Sequence, residues 1–379
     1  MTSIALEALR DAVARFVDER LVPAEAATAE HDDVSEALLA EMRELGLFGM
    51  TVPERYGGLG LDAASEVELV FELGRASPAF RSRFGTNNGI GSQGLIMNGT
   101  EEQRERYLPD IASGALITSF CLTEPDSGSD AASLKTTARK VDGGYLLNGT
   151  KRYITNAPQA GLFTVLCRTS PDGGTRGISA LLVERAAPGL SVGRPDHKMG
   201  QHGSHTADVS LDDCFVPDRA LLGGVEGQGF ATAMKVLDRG RLHIAALCVG
   251  AARRLLSESL SFGCARSQFG QRIVDFQLIQ AMLADSYAEM AACRALVRET
   301  ARRLDAGEKV SIDTSSAKML ASEMVGRVAD RAVQIHGGAG YMAEYAVERF
   351  YRDVRLFRLY EGTTQIQQLV IARNLIANA

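Results

Sequence analysis

One carboxylate near the end of the chain stands in a setting that suits a catalytic base. Glu361 precedes a glycine and then a run of apolar residues at helical spacing, namely Ile366, Leu369 and Val370. Gly362 lets the backbone approach a ligand closely, and the apolar stripe predicts a helix that anchors the turn to a core. Such a residue can remove a weakly acidic proton. An ordinary exposed glutamate is the alternative from the local pattern alone.

Two polar segments could hold a planar or phosphorylated ligand. Residues 123–130 follow an apolar strand pattern and are rich in serine and glycine, which offer hydroxyl and backbone N–H donors. Residues 152–156 end another strand pattern and place the ring of Tyr153 near the hydroxyl of Thr155. A ring beside a hydroxyl could stack on a heterocycle and hydrogen-bond to it. A polar turn and a packing aromatic are the respective alternatives.

Three further segments contain glycine or arginine in suggestive positions. Residues 89–94 match the pattern G-x-G-x-x-G, but no strand pattern precedes them, so we do not expect a nicotinamide site. Arg266 lies at a helix break between small polar neighbours and could bind phosphate. A solvated helix end is the alternative for Arg266. Residues 334–341 contain three glycines, more than a simple turn between helices requires.

Composition narrows the class of protein. A length of 379 residues allows two or three domains, and 45% apolar with 23% charged residues is typical of a globular protein. The formal net charge of −6, without a basic block, argues against nucleic-acid binding. Six scattered cysteines predict neither a metal site nor disulfides. With no signal-peptide pattern and no apolar run long enough to span a bilayer, we expect a cytoplasmic protein without membrane contact.

The periodicity of apolar residues divides the chain into three parts. Residues 1–115 follow helical spacing, and a capping box at residues 100–103 predicts a helix that stops near Pro109. Residues 116–222 contain β-branched runs separated by turn signals, which predicts an antiparallel sheet domain. Residues 223–379 return to long helical periods and predict a helical bundle. The expected fold class is therefore α+β and multidomain, in the order helical domain, β domain, helical domain.

The chain resembles the acyl-CoA dehydrogenase family over nearly all of its length. Residues 121–133 resemble the first signature of that family, and residues 334–353 resemble the second, with its glycines, Arg349 and Asp353 in register. The resemblance implies an N-terminal α-helical domain, a central antiparallel β domain and a C-terminal four-helix bundle. This order is the one that the periodicity predicts.

The resemblance also implies bound FAD. It assigns the isoalloxazine ring to residues around two strand ends, with Thr155 near N5: Phe120, Leu122, Thr123, Gly128, Ser129, Tyr153, Ile154 and Thr155. It assigns the phosphates and adenine to residues of a neighbouring subunit, with two more residues completing the site: Arg266, Gln268, Phe269, Phe276, Gln277, Gln334, Ile335, Gly337 and Gly338, then Thr363 and Gln365. Two departures from the family pattern are Tyr153, where tryptophan is usual, and His202, where a permanent cation is usual.

The mechanism that the resemblance implies is α,β-dehydrogenation of an acyl-CoA thioester. Glu361 would remove the α-proton while the β-hydrogen leaves as hydride to flavin N5. The Glu361 N–H and a flavin ribityl hydroxyl would stabilise the enolate oxygen. Electrons would pass to an electron-transfer flavoprotein, and the expected assembly is a homotetramer built as a dimer of dimers. Residues expected beside the acyl-CoA are Ser129, Asp238, Arg241 and Gly362.

The identity of the acyl group is the open question. Some family branches carry the base on the helix of residues 238–241, but Gly240 occupies that place here. Arg81 falls where glutaryl-CoA dehydrogenases carry an arginine for the distal carboxylate, and the polar run 86–88 suggests a short or polar pocket floor. A short-chain, branched or dicarboxylyl acyl-CoA is expected. The alternatives are that Arg81 and Arg83 are helix-surface cations, and that the enzyme is an acyl-CoA oxidase using O2.

Overall fold

Short helices make up the first part of the chain. The structure is a computed structural model that describes residues 3–379, and its first seven α-helices are α1 (Ser3–Phe16), α2 (Val22–His31), α3 (Glu36–Glu44), α4 (Ala63–Leu73), α5 (Pro78–Asn88), α6 (Gln93–Asn98) and α7 (Glu101–Ser113). The predicted capping box is present, because the Thr100 hydroxyl accepts from the Gln103 N–H at 3.2 Å and the Gln103 amide oxygen accepts from the Thr100 N–H at 3.0 Å.

The prediction that this helix stops near Pro109 is wrong. Helix α7 continues to Ser113. The ring of Pro109 lies on the exposed side of the helix, and so does Glu105, whose carbonyl loses its partner. Water can hydrate that carbonyl, while the apolar side of the last turn stays buried through Leu108 and Ile111. Packing therefore outweighs the cost of one missing hydrogen bond.

The central part is one seven-stranded sheet with mainly antiparallel pairing. Its strands are β1 (Thr118–Cys121), β2 (Thr137–Val141), β3 (Gly144–Thr155), β4 (Leu162–Arg168), β5 (Ile178–Glu184), β6 (Leu190–Val192) and β7 (Thr206–Pro217). The order is β1-β4-β2-β3-β7-β6, with β5 paired to β4. Within this sheet β1 runs parallel to β4, a pairing that alternation of apolar residues does not predict. The long strand β3 ends at Thr155, next to the helical parts of the chain.

The last part is a bundle of long helices. Its elements are α8 (Gly229–Ala265), a small hairpin of β8 (Ser267–Gln268) and β9 (Gln271–Arg272), then α9 (Gln277–Asp305), α10 (Ser311–His336), α11 (Ala346–Val354) and α12 (Thr364–Ala377). Every residue from 240 to 252 is buried, so the middle of α8 is covered on all sides. A methyl group on Gly250 would lie 2.7 Å from the α-carbon of Gly74, which shows how closely α8 packs on the N-terminal helices.

Buried carboxylates connect the three parts of the chain. Glu25 accepts from the Arg349 guanidinium at 2.6 Å and from the Ser77 N–H at 2.8 Å. Asp353 accepts from the Ser77 hydroxyl at 3.3 Å and from the backbone N–H of Gln201. Burial raises the pKa of both carboxyl groups, although the neighbouring arginines oppose it. These contacts fix the helices and the sheet relative to each other around one pocket.

A buried ion pair supports the loop that follows β1. The Lys151 ammonium, which is fully buried, donates to Glu124 at 2.8 Å and to the Leu122 carbonyl at 3.3 Å. The Glu124 carboxylate also accepts from the N–H groups of Lys135 and Thr136. Burial favours the neutral acid, but Lys151 and these donors outweigh it and lower the pKa of Glu124. The pair therefore ties the loop to β3.

We expect Glu124→Gln to destabilise the fold by about 3–5 kcal/mol, because it leaves the Lys151 ammonium buried without its anion. The double variant Glu124→Gln/Lys151→Met removes both charges and should recover much of that loss. Urea unfolding of the two single variants and the double variant measures the coupling. The pairing would be contradicted if the loss in the double variant equalled the sum of the losses in Glu124→Gln and Lys151→Met.

Candidate active site

Glu361 lies in a pocket that all three parts of the chain line. Helix α5 contributes Arg81 and Thr86, β3 contributes Thr155, and α8 contributes Gly240. The residues that complete the lining come mainly from α4, α5, the loop before β7, α8 and the segment before α12: Glu66, Ser82, Gly85, Asn88, Gly89, Ile90, Lys198, Gln201, Ser204, Thr206, Arg239, His243, Leu356 and Tyr360. The predicted base and the residue predicted near flavin N5 therefore face the same space.

The carboxylate of Glu361 lies against α8 where that helix has no side chain. A methyl group on Gly240 would lie 2.7 Å from Oε2 and 3.0 Å from Cδ of Glu361. Oε2 is buried and has no hydrogen-bond partner among residues 3–379. Burial raises the pKa of Glu361, although the cationic side chains of Arg81, Arg241 and Lys318 oppose it. A carboxylate in this setting accepts a proton more readily than an exposed glutamate does.

Glu361 and Gly362 form a left-handed turn before α12. Their φ angles are +55° and +89°, a region that a non-glycine residue such as glutamate adopts only where its surroundings hold it. The Gln367 amide donates to both carbonyls at 3.0 Å, and the Lys318 ammonium donates to the Gly362 carbonyl at 2.6 Å. Thr363 then caps α12 through its hydroxyl, which accepts from the Ile366 N–H at 3.3 Å.

Four hydrogen-bonded polar side chains form another wall of the pocket. The Arg81 Nε–H donates to Nε2 of His243 at 2.7 Å, so Nε2 is an acceptor and the ring proton must be on Nδ1. Nδ1–H then donates to Glu66 at 2.7 Å, and Arg239 donates to the same carboxylate at 2.9 Å. Burial and the nearby arginines lower the pKa of His243 to about 4, so the ring is neutral near pH 7.

The alternative that Arg81 and Arg83 are surface cations is wrong for both residues. Arg81 lies along its own helix over Gly85, where a methyl group would meet the guanidinium carbon at 2.7 Å. Arg83 is buried and paired with Asp33 at 2.6 Å, away from the pocket. Helix α5 is buried on nearly all sides, which the sequence pattern of alternating polar residues conceals.

The polar run after Arg83 has two functions. Thr86 and Asn88 line the pocket, as expected for a polar floor. Asn87 does not line it. Its amide donates to the Ile111 carbonyl of α7 at 3.0 Å and to the Leu116 carbonyl at 2.8 Å, and its oxygen accepts from the Thr118 N–H of β1 at 2.9 Å. Residues 89–94 follow helix α5 and not a strand, and a side chain on Gly91 would collide with that of Thr118.

The segments predicted to hold the flavin ring lie side by side. The Arg152 N–H donates to the Thr123 carbonyl at 2.8 Å, which joins the loop after β1 to the end of β3. Gly128 and Ser129 are exposed, and Thr123 is half-buried. Tyr153 is 61% exposed and has a φ of +59°, so its ring projects from the sheet. Leu122 belongs to one hydrophobic cluster and Phe120 packs against it, whereas Ile154 is buried in the cluster of the sheet.

The residues predicted to bind the phosphates and adenine occupy a different surface. Arg266, Gln268 and Phe269 lie in the β8–β9 hairpin, and Phe269 is 94% exposed. The Gln334–Gly338 turn ends α10, where a methyl group on Gly337 or Gly338 would meet no atom within 4 Å. None of these residues lines the Glu361 pocket of the same chain, and neither do Phe276, Gln277 and Ile335. Thr363 and Gln365, the two residues expected to complete the site, are also outside the pocket lining.

Asp238 and Arg241 form an ion pair within α8. Arg241 donates to Asp238 at 2.7 Å and points its Nε–H toward the Glu361 carbonyl at 3.5 Å. Asp238 also accepts from the Ser311 hydroxyl at 2.6 Å. His202 contacts the Lys198 carbonyl of its own loop at 3.2 Å.

Sequence reasoning missed Glu66, His243, Lys318 and Gln367. Each is a polar residue in an apolar helix pattern, and its partner lies on a different element. The one local signal in the sequence for these four residues is a histidine within an apolar helix pattern, three residues after Gly240. Among the described residues, no helix is long and apolar enough to cross a membrane, and no cluster of three or more acidic, histidine or cysteine side chains could hold a metal ion.

Comparison with known proteins agrees with this architecture. Three family descriptions match in order: acyl-CoA dehydrogenase N-terminal domain over residues 4–115, middle domain over 119–214 and C-terminal domain over 227–376. The caffeyl-CoA reductase-Etf complex subunit CarC of Acetobacterium woodii is 41% identical over 347 residues, covering 92% of this chain and 91% of that protein. An acyl-CoA dehydrogenase of Bacillus subtilis is 40% identical over 368 residues and 97% of each chain.

A solved structure extends the agreement to three dimensions. The structure of a glutaryl-coenzyme A dehydrogenase with glutaryl-CoA superposes with a TM-score of 0.95 at 33% identity, covering 100% of this chain and 96% of that one. The chain belongs to the acyl-CoA dehydrogenase family of FAD-dependent enzymes.

Proposed function

We propose that this enzyme catalyses α,β-dehydrogenation of an acyl-CoA thioester, with Glu361 as the base. The observation that carries the proposal is that Glu361 and Thr155 line one pocket, in which the Glu361 carboxylate is held without a hydrogen-bond donor to Oε2. Thr155, from the strand predicted to bind the flavin, and Glu361, whose carboxyl group has a raised pKa, line the same pocket.

The residues around β3 suit an FAD isoalloxazine ring. Thr155 lines the pocket, and the adjoining loop carries two more hydroxyl side chains, exposed Ser129 and half-buried Thr123. The exposed ring of Tyr153 offers a π-face in place of the usual tryptophan. The open surface at Gly337 and Gly338 leaves room for a phosphate or adenine to approach the backbone. Bound FAD supplies the acceptor for the hydride that leaves the β-carbon.

The residues of this chain perform the proton transfer. A thioester α-hydrogen is weakly acidic, so a base with a raised pKa is matched to it better than an exposed carboxylate. The Glu361 N–H donates to no acceptor among the described residues and is available to the thioester oxygen, where negative charge develops. Base and oxyanion donor thus come from the same residue, which the left-handed turn orients.

The same groups also support the reverse reaction, enoyl-CoA reduction. Protonated Glu361 would return the proton to the α-carbon, and the relative in Acetobacterium woodii is named as a subunit of a caffeyl-CoA reductase-Etf complex. We propose an electron-transfer flavoprotein as the redox partner, which sets the net direction by its potential. Rapid O2 consumption without a dye acceptor would instead indicate the acyl-CoA oxidase alternative.

The pocket wall favours a short acyl group with an anionic or polar end. Arg81 donates to His243, which is neutral and does not offset the positive charge that Arg81 brings to the pocket wall. Glu66 is already paired with Arg239, so its carboxylate does not neutralise Arg81 directly. A dicarboxylyl thioester can place its distal carboxylate here, as glutaryl-CoA-like substrates require.

The residues expected to bind FAD extend beyond the lining of the Glu361 pocket. Arg266, Gln268 and Gln334 lie outside the Glu361 pocket, so we propose that a second copy presents them. This arrangement accords with a homodimer as the unit of activity, and with a dimer of dimers as the expected assembly.

Glu361→Gln should abolish dehydrogenation while FAD binding is retained. General-base removal lowers kcat by about two to four orders of magnitude, and glutamine keeps the size of the side chain. Turnover with a dye acceptor and the visible absorbance of bound flavin are the two measurements. Glu44→Gln, on the exposed surface, is the control and should match the wild type. Retained turnover in Glu361→Gln would remove the assignment of the base.

Arg81→Met should discriminate between acyl groups. Loss of a charge-assisted contact should lower kcat/KM for glutaryl-CoA by about 10- to 150-fold relative to butyryl-CoA. The ratio of the two substrates cancels any general effect of Arg81 on the pKa of Glu361. Arg83→Met, two residues away and paired with Asp33, is the matched control and should leave the ratio unchanged. An equal loss on both substrates would contradict a distal carboxylate contact.

Mixed oligomers test the shared FAD site. Glu361→Gln and Arg266→Glu, each inactive alone, are co-expressed with different tags and purified as the mixed species. One site of each pair then contains an intact Glu361 from one copy and an intact Arg266 from the other, so about half of wild-type activity should return. If each chain builds its own FAD site, the mixed species will stay inactive.

A further inference from the structure

Lys318 is a fully buried lysine in the apolar core of the helical bundle. Its exposed fraction is 0%, and its neighbours on α10, Ala317 and Ala321, belong to the largest hydrophobic cluster. It forms no ion pair within 4.0 Å among the described residues, unlike the equally buried Lys151, which pairs with Glu124. Taking an ammonium group out of water without an anion is unfavourable for stability. A methionine would fill the same space without that penalty.

The hydrogen bond of Lys318 is directed at the catalytic turn. Its ammonium donates to the Gly362 carbonyl at 2.6 Å, one residue after the proposed base. Gln367, which is also fully buried, donates to the same carbonyl and to that of Glu361 at 3.0 Å. A side chain on Gly362 would meet the Gln367 amide nitrogen at 2.6 Å. Two buried donors therefore hold two consecutive residues of positive φ.

We propose that Lys318 is a positioning residue for the reaction, which with Gln367 holds the Glu361–Gly362 turn so that the carboxylate rests against Gly240. This inference depends on the proposed role of Glu361. Lys318 does not touch the reacting atoms; it acts through the backbone of the turn. A left-handed conformation at a glutamate is unfavourable by about 1–3 kcal/mol and persists only where neighbours hold it.

Lys318 also places positive charge near the base. The groups that face it are Glu361 from the turn, Cys248 and Arg241 from α8, and Glu323 from its own helix. Burial lowers the pKa of Lys318 to about 8, so most of the group is charged at pH 7. Its charge opposes the burial that raises the pKa of Glu361, as do Arg81 and Arg241. Removal of Lys318 should therefore raise the pKa of the base further.

The variant Lys318→Met tests both effects in the FAD-loaded enzyme. Activity requires ionised Glu361, so kcat/KM rises with pH through the pKa of that carboxyl. This acid limb should move to higher pH by about one unit when the cation is removed. We expect kcat at the pH optimum to fall at least tenfold, with KM for the thioester changed little. The melting temperature should stay unchanged or rise, because a buried ammonium is replaced by an apolar group.

Two further variants separate positioning from general stability. Val325→Ala, at a buried site on the same helix, should lower the melting temperature while the acid limb stays where it is. Lys318→Gln keeps a donor for the Gly362 carbonyl but removes the charge; it should shift the acid limb as methionine does and keep more of kcat. It also serves if Lys318→Met does not fold.

The outcomes distinguish this inference from the proposed function. Wild-type kcat and an unmoved acid limb in the Lys318 variants would overturn the positioning role. So would a loss of activity that follows the melting temperature as in Val325→Ala, with no movement of the limb. If Glu361→Gln retains turnover, the proposed base fails irrespective of Lys318.

Discussion

The contact between the Glu361 carboxylate and α8 at Gly240 is the constraint around which the pocket is arranged. A methyl group at position 240 would lie 2.7 Å from Oε2, so the carboxylate occupies the space that a side chain would need. This contact excludes water from one side of the carboxyl group and raises its pKa. It also fixes the distance between the turn and α8. Arg241 and His243 lie one and three residues after Gly240 in that helix. One missing side chain therefore sets both the basicity of the carboxylate and its charged surroundings.

The charges near the pocket are arranged so that the base remains ionisable. Full burial without cations would leave a carboxyl group neutral near pH 7, whereas a direct ion pair would make it a weak base. Arg81, Arg241 and Lys318 lie near Glu361, but none of them donates to its carboxylate: Arg81 donates to His243, Arg241 to Asp238 and Lys318 to the Gly362 carbonyl. Their positive charge moderates the pKa from a distance. A neutral histidine suits this arrangement because it accepts from Arg81 at one nitrogen and donates to Glu66 at the other.

Features of the fold that depend on local interactions could be predicted from the sequence. The capping box at Thr100 and Gln103 involves residues close together in the chain, and it is present. The predicted end of α7 was wrong, because the effect of Pro109 depends on which side of the helix meets solvent. The parallel β1–β4 pairing was not anticipated, since alternation along a strand does not identify its neighbour.

The same distinction applies to the site. The turn with its glycine identified Glu361, but nothing local marks Lys318, whose acceptor lies 44 residues later in the chain. Arg81 and Arg83 are two residues apart in the same helix. Only tertiary contacts show that Arg81 lines the pocket and that Arg83 pairs with Asp33 in the turn between α2 and α3.

The way in which the catalytic turn is held explains how position and basicity can both be satisfied. Hydrogen bonds to the carboxylate itself would fix its position, but they would stabilise the anion and lower the pKa. Here the donors from Lys318 and Gln367 reach the carbonyls of Glu361 and Gly362, and no donor among the described residues reaches either carboxylate oxygen. The backbone therefore carries the positional constraint, and the side chain keeps its capacity to accept a proton. The unfavourable φ of Glu361 and the ammonium of Lys318 without an ion-pair partner both follow from holding the turn by its backbone and not by its carboxylate.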